Sequence, residues 1–163
     1  MEVLKFMHVC VAVPDLDKAL DFYCNTLGMK SDFQTDNDEA DGLLLGFDQE
    51  KIHLRAHHVI AASADPAAAT EINLVEYTDP KPIIGSGPCS IMNQVGLTRL
   101  ALMVDDLREV MDAVEKYEGT EIICEPRDLI IKEPDATYVM TWSSFKDPFG
   151  IFVTLAQPPR PQE

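Results

Sequence analysis

Histidine and arginine side chains at several points of the sequence could carry out acid–base and anion-binding chemistry. Imidazole gains and loses a proton near neutral pH, so a histidine can move a proton to or from a substrate. A guanidinium keeps its charge and can hold a carboxylate, enolate or phenolate oxygen through charge-assisted hydrogen bonds. The residues that we predict to act in this way are His8, His57 and Arg99 as catalytic groups, and His53, Arg55, Asn73, Thr154 and Trp142 as substrate-binding groups.

The chain as a whole is strongly acidic, which makes such a set of positive groups conspicuous. Its 163 residues include 28 Asp and Glu against 13 Lys and Arg, a formal charge of −15. This charge opposes binding to nucleic acid and to anionic membranes, which need a positive protein surface. No apolar run approaches the roughly 20 residues of a membrane helix, and the first residues lack the pattern of a signal peptide. We therefore expect a cytoplasmic protein that binds a small molecule and keeps its cysteines as free thiols.

Residues 6–28 predict a strand, a tight corner and an amphipathic helix. Three valines at every second position point to one face of the strand, and His8 lies on the other. Pro14 ends the strand, because it cannot donate to a sheet, and Asp15 is the expected helix N-cap. Gly28 supplies the left-handed stop after the helix.

The same element recurs at residues 99–119. Asp106 takes the place of the first N-cap, Gly119 closes the helix, and Arg99 falls on the position of His8. Because the period is about half the chain, the repetition indicates a duplicated module and not a solenoid.

Strand alternation places the other polar candidates on a common face. In the strand predicted at 52–60, we expect Ile52, Leu54 and Ala56 to face the helices. A helix-covered face must be apolar, because each buried polar group without a partner costs about 1–3 kcal/mol. The polar face predicted to line a wet cavity comprises His8, His53, Arg55, His57, Asn73, Arg99 and Thr154. Trp142 could line the wall and stack on a planar ligand.

Composition and patterning also predict the domain organisation. The acidic residues 36–41 and the proline-flanked residues 126–136 are expected to be loops, and Leu43–Gly46 a helical turn. The predicted units are a first module over 1–78, a linker over 79–95, a second module over 96–157 and a disordered tail over 158–163.

The motif His-Val-x-Val-x-Val-x-Asp-Leu-x-x-Ala-x-x-Phe-Tyr-x-x-x-Leu-Gly, which begins at His8, resembles the opening of the vicinal oxygen chelate superfamily. Glyoxalases, methylmalonyl-CoA epimerases, extradiol dioxygenases and bleomycin- or fosfomycin-resistance proteins belong to that group. The stretches 72–80, 95–98 and 147–155 agree with it. The resemblance implies an α+β fold in which two βαβββ modules form a curled mixed β-sheet, with helices on the convex side and a central cavity. It also implies a homodimer.

Metal-using members of the superfamily hold an ion with two histidines and two glutamates, and the ion acts as a Lewis acid. Carried over, the ligand positions are His8, Asn73, Arg99 and Thr154. One ligand in four is kept, and a guanidinium has no lone pair to donate. We therefore expect no cofactor and no usual divalent metal. A non-standard site of His8 with His53 or His57 stays open.

Two functions fit this pattern. The first is an enzyme of isomerase, epimerase or lyase type, in which Arg99 replaces the metal as the anchor of an oxyanion and His8 or His57 moves a proton. The alternative is a binding or sequestering protein of the resistance type, which uses the same cavity without turnover. A metal-dependent glyoxalase- or dioxygenase-like enzyme with a non-standard ligand set ranks third. In a purely structural interpretation, Arg99 pairs with an acidic neighbour and the histidines are ordinary core or surface groups.

Overall fold

The structure is a computed structural model that describes residues 7–45, 47–66, 68–84, 99–133 and 136–161. The chain divides into two compact units, Met1–Gly85 and Ser86–Glu163. We call them module 1 and module 2.

Module 1 is a βαβββ unit with one mixed sheet. Its elements are β1 (His8–Ala12), α1 (Leu16–Leu20) continued by a π-helical segment (Asp21–Thr26), β2 (Met29–Asp41), β3 (Lys51–Ala61) and β4 (Glu71–Asp79). The strands lie in the order β1-β4-β3-β2. The first strand is parallel to the last, and the other pairs are antiparallel.

Module 2 repeats this arrangement. Its elements are β5 (Leu100–Met103), α2 (Leu107–Lys116), β6 (Glu121–Glu133), β7 (Ala136–Lys146), β8 (Phe152–Ala156) and the short β9 (Arg160–Pro161). The order is β5-β8-β7-β6, with β5 parallel to β8 and β9 paired to β7. The α+β class and the two βαβββ modules predicted from the sequence are confirmed.

Both helices begin at the residues that the sequence indicates, but α2 ends at Lys116, before the predicted stop at Gly119. The side chains of Asp15 and Asp106 each accept a hydrogen bond from the backbone nitrogen three residues later, at 2.9 and 3.0 Å. Such a cap stabilises a helix by about 1 kcal/mol. Gly28 and Gly119 have φ values of 71° and 95°, in the left-handed region that favours glycine.

Each helix covers the apolar face of its own sheet. In module 1, the backbone nitrogen of Leu16 on α1 donates to a carboxylate oxygen of Glu76 on β4 at 3.4 Å. In module 2, Ser143 on β7 donates to the sulfur of Met111 on α2 at 3.1 Å. Large buried side chains on the helical segments, Phe22 among them, fill the space beneath. Within the described part of the chain, no helix has both the length and the apolar content to cross a membrane.

Strands β2 and β6 are longer than the sequence predicts. β2 runs through the acidic residues 36–41, and β6 runs through most of the predicted loop 126–136. Both are edge strands of their main sheets, where polar side chains can face solvent. Pro126 falls where the register breaks between Cys124 and Arg127, a position at which a missing N–H is tolerated.

Three smaller predictions have different outcomes. The turn around Leu43 is confirmed, since the backbone nitrogen of Leu45 donates to the oxygen of Gly42 at 3.0 Å. Residues 85–95 of the predicted linker lie outside the described residues. The prediction that residues 158–163 are disordered is wrong for Arg160, which pairs with Asp128 and lies in β9.

Candidate functional site

The register of β1, β3 and β4 decides which side chains share a face in module 1. Because α1 lies on the Glu76 face, every second residue of β4 from Glu76 is on the helix-covered side. Glu71 and Asn73 therefore lie on the other face. His8 is the register partner of Glu71, and His58 is the partner of Asn73. The face away from α1 thus carries two imidazoles, a carboxylate and an amide.

The prediction that Ile52, Leu54 and Ala56 on β3 face the helix is wrong, because the residues that alternate with them face it. Arg55 is the register partner of Glu76, which puts His53, Arg55 and His57 on the helix-covered side. Ala56 and Val59, on opposite faces, are both buried. Since both faces of β3 carry buried apolar side chains, periodicity alone could not tell which one α1 covers.

Arg55 links α1 to the sheet and does not face the polar side of module 1. One guanidinium nitrogen lies 2.9 Å from Asp17 on α1, and the other lies 3.2 Å from Glu76 on β4. The hydrogen bond that Arg55 donates to the carboxylate of Asp17 raises the pKa of Arg55, which therefore keeps its charge. The substrate-binding role predicted for Arg55 is replaced by a helix-anchoring one.

The other two predicted histidines also have partners on this covered side. His57 Nδ1 lies 2.8 Å from Ser31 Oγ, and His53 Nε2 lies 2.5 Å from an oxygen of Asp36. Burial, together with the positive charge of Arg55, lowers the pKa of His57 below its ordinary value of 6.5. His57 and His53 do not join His8.

The histidine that does join His8 is His58, which the sequence interpretation missed. His8, His58 and Glu71, here called the His–His–Glu cluster, place one ligand atom each within 4.8 Å of one another. His58 Nδ1 lies within hydrogen-bond distance of a carboxylate oxygen of Glu71. The adjacent histidines His57 and His58 could have indicated this. Neighbouring residues of a strand point to opposite faces, so one of the two histidines must lie on the same face as His8.

Module 2 brings three of the predicted residues together. Arg99, Trp142 and Thr154 line one pocket of about 340 Å³ with a chiefly apolar wall. Arg127, which the sequence interpretation did not single out, also lines it and is the register partner of Trp142. A separate depression of about 270 Å³ between α2 and β6 holds none of the predicted residues.

The pocket contains a buried donor that lacks a partner. Trp142 Nε1 is buried, and no hydrogen-bond partner for it lies within the described residues. Thr154 is buried as well, but its hydroxyl donates to the backbone oxygen of Leu100 at 3.4 Å. An unpaired buried donor costs about 1–3 kcal/mol, which a ligand oxygen could recover.

The sequence profile of the Glyoxalase/Bleomycin resistance protein/Dioxygenase superfamily matches residues 5–155 of the 163-residue chain. The chain belongs to this superfamily. The resemblance to the vicinal oxygen chelate group is thereby confirmed. No curated protein matches the chain.

Solved structures of the superfamily share the fold. A glyoxalase family protein from Bacillus cereus is 19% identical with a TM-score of 0.74, over 96% of this chain and 95% of its own. Glyoxalase I from Leishmania major is 17% identical with a TM-score of 0.57, over 95% and 87%. An antibiotic binding protein from a Streptomyces species is 23% identical with a TM-score of 0.54, over 97% and 98%. At these identities the likeness extends to the fold alone.

The usual metal positions of the superfamily do not fit a metal in this chain. Within module 1, His8 keeps an imidazole, but Asn73 offers a neutral amide where a carboxylate is needed. In module 2, Arg99 has no lone pair to donate, and the hydroxyl of Thr154 is engaged with Leu100. These four positions therefore lack the ligand set that the usual metal ion of the superfamily needs.

Proposed function

We propose that this superfamily member recognises a small, planar, oxygenated anion in the pocket of module 2. The observation that carries the proposal is that two guanidinium groups, Arg99 and Arg127, line one pocket with Trp142 in a chain whose formal charge is −15. In such a field, a positive apolar pocket attracts an anion that the rest of the surface repels.

The two arginines supply the electrostatic part of this recognition. A guanidinium can donate two parallel hydrogen bonds to a carboxylate or to the oxygens of an enolate. If the substrate gains negative charge during the reaction, the same donors stabilise the transition state more than the ground state. We assign Arg99 this oxyanion-holding role and Arg127 the role of a second anion contact.

Trp142 supplies the selection for shape. An indole ring stacks on flat ligands and excludes bulky saturated ones. Its Nε1–H, which has no partner among the described residues, provides a further donor for a ligand oxygen. The expected ligand class is therefore an aromatic or enolised carboxylate, or a phenolate.

We further propose that recognition serves catalysis of the isomerase, epimerase or lyase type. Enolisation beside a carboxyl or carbonyl group, with the α-proton passing to a base in solution, would create the oxyanion that Arg99 holds. Of the two proton carriers predicted from the sequence, His57 is unsuitable, because it bonds with Ser31 on the helix-covered side of module 1.

The alternative is a binding protein without turnover. The pocket lining in the described part of module 2 includes neither an imidazole nor a carboxylate. An antibiotic binding protein with a similar fold supports this candidate. Once a ligand is known, the two functions can be distinguished by whether the protein converts that ligand into a product.

Tryptophan fluorescence tests the recognition proposal directly, because Trp142 is the single tryptophan of the chain. Titration with benzoate and 2-hydroxybenzoate should change its emission saturably, and cyclohexanecarboxylate should bind at least several-fold more weakly. Arg99→Ala should reduce the affinity for the aryl carboxylates by about 10-fold, in the range of a charged hydrogen bond in a partly solvated site. Arg108→Ala, on α2 outside the pocket, is the matched control. Equal affinities in wild type and Arg99→Ala would contradict the proposal.

We also propose a homodimer, on the basis of the superfamily resemblance. Light scattering should give twice the mass of the chain at micromolar concentration. A monomeric mass would remove this proposal and leave the pocket untouched.

A further inference from the structure

We propose that the His–His–Glu cluster of module 1 is a site for a divalent transition-metal ion, at a position displaced from the usual metal site of the superfamily. The ligands would be His8, His58 and Glu71, of which only His8 occupies a usual ligand position. This inference goes beyond the proposed function, since none of these residues belongs to the pocket of module 2.

The three side chains are held by adjacent strands of one sheet. Glu71 lies on β4, which is hydrogen-bonded to β1 on one side and to β3 on the other. His8 is its direct register partner, and His58 is the partner of Asn73, two residues further along the same face. Ligands fixed on paired strands keep their spacing better than ligands on loops. Their ligand atoms already lie within 4.8 Å of one another, so small side-chain rotations can bring them around one ion.

The donor types favour particular metals. Two imidazoles and one carboxylate suit Zn²⁺, Fe²⁺, Co²⁺ or Ni²⁺, whereas Mg²⁺ and Ca²⁺ prefer oxygen ligands throughout. Three protein ligands also leave at least one coordination position for water or an oxygenated ligand. The site would therefore be of the open, reactive kind and not a closed structural one.

The surroundings of the cluster are suited to an ion. The side chains of His58 and Glu71 are 18% and 20% exposed, which restricts water while leaving an entry path. His8 Nδ1 is buried without a hydrogen-bond partner among the described residues, an arrangement that is costly unless something else binds the ring. The rings of His8 and Phe33 pack edge-on against His58, with centroids at 5.2 and 5.4 Å, and limit its rotation.

The displacement follows from strand geometry. The usual carboxylate position falls on Asn73, and Glu71 precedes it by two residues on the same face. Two residues of a strand span about 7 Å. A carboxylate moved by this distance along β4 comes opposite His8 in register, and His58 from β3 completes the set. The cluster thus assigns His8 a ligand role in place of the proton-carrier role predicted for it.

Calorimetric titration of the chelator-treated full chain with Zn²⁺, Co²⁺ or Ni²⁺ chloride tests the site. We expect one ion per chain. His58→Gln and Glu71→Gln should each weaken binding by more than the 10–100-fold that loss of an outer-shell partner costs. His57→Gln is the matched control, because it changes the adjacent histidine on the opposite face and should leave the affinity unchanged.

Asn73→Ala distinguishes the displaced site from the usual one. If the ion binds at the displaced position, Asn73→Ala retains binding and Glu71→Gln loses it; the reverse result overturns the inference. Absence of saturable binding to the wild type also overturns it, as does equal weakening by His57→Gln and His58→Gln. Circular dichroism of each variant confirms that the binding was measured on folded protein. An increase in the melting temperature of the wild type with metal concentration, absent in His58→Gln, provides a second readout.

Discussion

Modules 1 and 2 share one topology but carry opposite chemistry. Each pairs its first strand in parallel with its fourth, starts its helix at an aspartate and follows the helix with a left-handed glycine. On the polar face of module 1 stand two imidazoles and a carboxylate, which are electron-pair donors suited to a cation. The pocket of module 2 is lined by two guanidiniums and an indole, which are hydrogen donors suited to an anion.

This difference shows which parts of a duplicated module are free to change. Caps, glycine stops and helix-covered apolar faces determine the fold, because their loss leaves unpaired backbone groups or exposed apolar area. The polar side chains on the other face are not part of the apolar core and can be exchanged. His8, at the start of β1, and Arg99, directly before β5, occupy equivalent places in the repeat and are the extreme case. An imidazole can bind a metal, and a guanidinium would repel it.

The largest effects should come from the buried cores, which the two modules need equally. Phe22 in module 1 and Phe145 in module 2 are both 0% exposed. Phe22→Ala and Phe145→Ala should each lower the free energy of unfolding by about 3–5 kcal/mol, because each leaves a large cavity. Urea unfolding followed by circular dichroism measures both. Leu44→Ala, at a side chain that is 82% exposed, should change it by less than about 0.5 kcal/mol. A loss below 1 kcal/mol in only one module would show that the cores are not equivalent.

Substitutions at the pocket of module 2 should change the affinity for aryl carboxylates, and substitutions at the polar face of module 1 should not. Arg99→Ala should weaken aryl carboxylates by about 10-fold, and Arg99→Lys should not restore the affinity, because an ammonium cannot reproduce the planar fork. His8→Gln should leave the same affinity unchanged. The melting temperature should stay near that of the wild type, since Arg99 is exposed. Unchanged affinity with a strongly reduced melting temperature would assign Arg99 a structural ion pair instead.

A smaller and matched effect is expected at the helix caps. Asp15→Ala and Asp106→Ala each remove the acceptor for one backbone N–H and should lower stability by about 1 kcal/mol. Chemical unfolding of both variants beside Asp112→Ala, an exposed substitution inside α2, measures the difference. If the losses in free energy of unfolding for the two cap variants differ by more than twofold, the two caps are not equivalent.

The smallest effect concerns pH and belongs to module 1 alone. The pKa of His57 is lowered from 6.5 in the folded protein, so the unfolded chain binds more protons there in mildly acidic solution. The free energy of unfolding should therefore fall as the pH drops through 6.5 towards the lowered pKa. Above pH 6.5 His57 is neutral in both states, so its full contribution to stability is present there. Unfolding midpoints of wild type and His57→Gln between pH 5 and pH 8 should show a flatter curve for the variant. Parallel curves would mean that His57 titrates alike in both states.

Much of the fold could be predicted because its determinants are local. A proline corner, an aspartate cap and a glycine stop each act within a few residues, and their recurrence identified both modules. The face of β1 was also predictable, since Val9 and Val11 alternate with His8 and Cys10. The continuation of β2 through residues 36–41 was not, because pairing with β3 outweighs the weak strand preference of acidic residues at an exposed edge.

The candidate site was harder to predict because it depends on register between distant strands. Arg99 and Thr154 could be grouped because the aliphatic residues beside them in the sequence were assigned to the helix-covered face. On β3, the register shifts between His53 and Leu54, and apolar side chains occupy both faces. No local pattern could then show that His58, and not His57, joins His8.

The parallel pairing of the first with the fourth strand in each module has a consequence for how the chain folds. Cys10 and Asn73 meet although they are 63 positions apart in the sequence, and Leu100 and Thr154 meet although they are 54 positions apart. Closing such long loops is entropically costly and places the final pairing late, after the β2–β3 and β6–β7 hairpins. Module 1 has all its strands by residue 79, so its sheet can close on the ribosome before module 2 is synthesised. Pulsed hydrogen exchange during refolding should then protect hairpin amides before those joining β1 to β4; simultaneous protection would contradict this order.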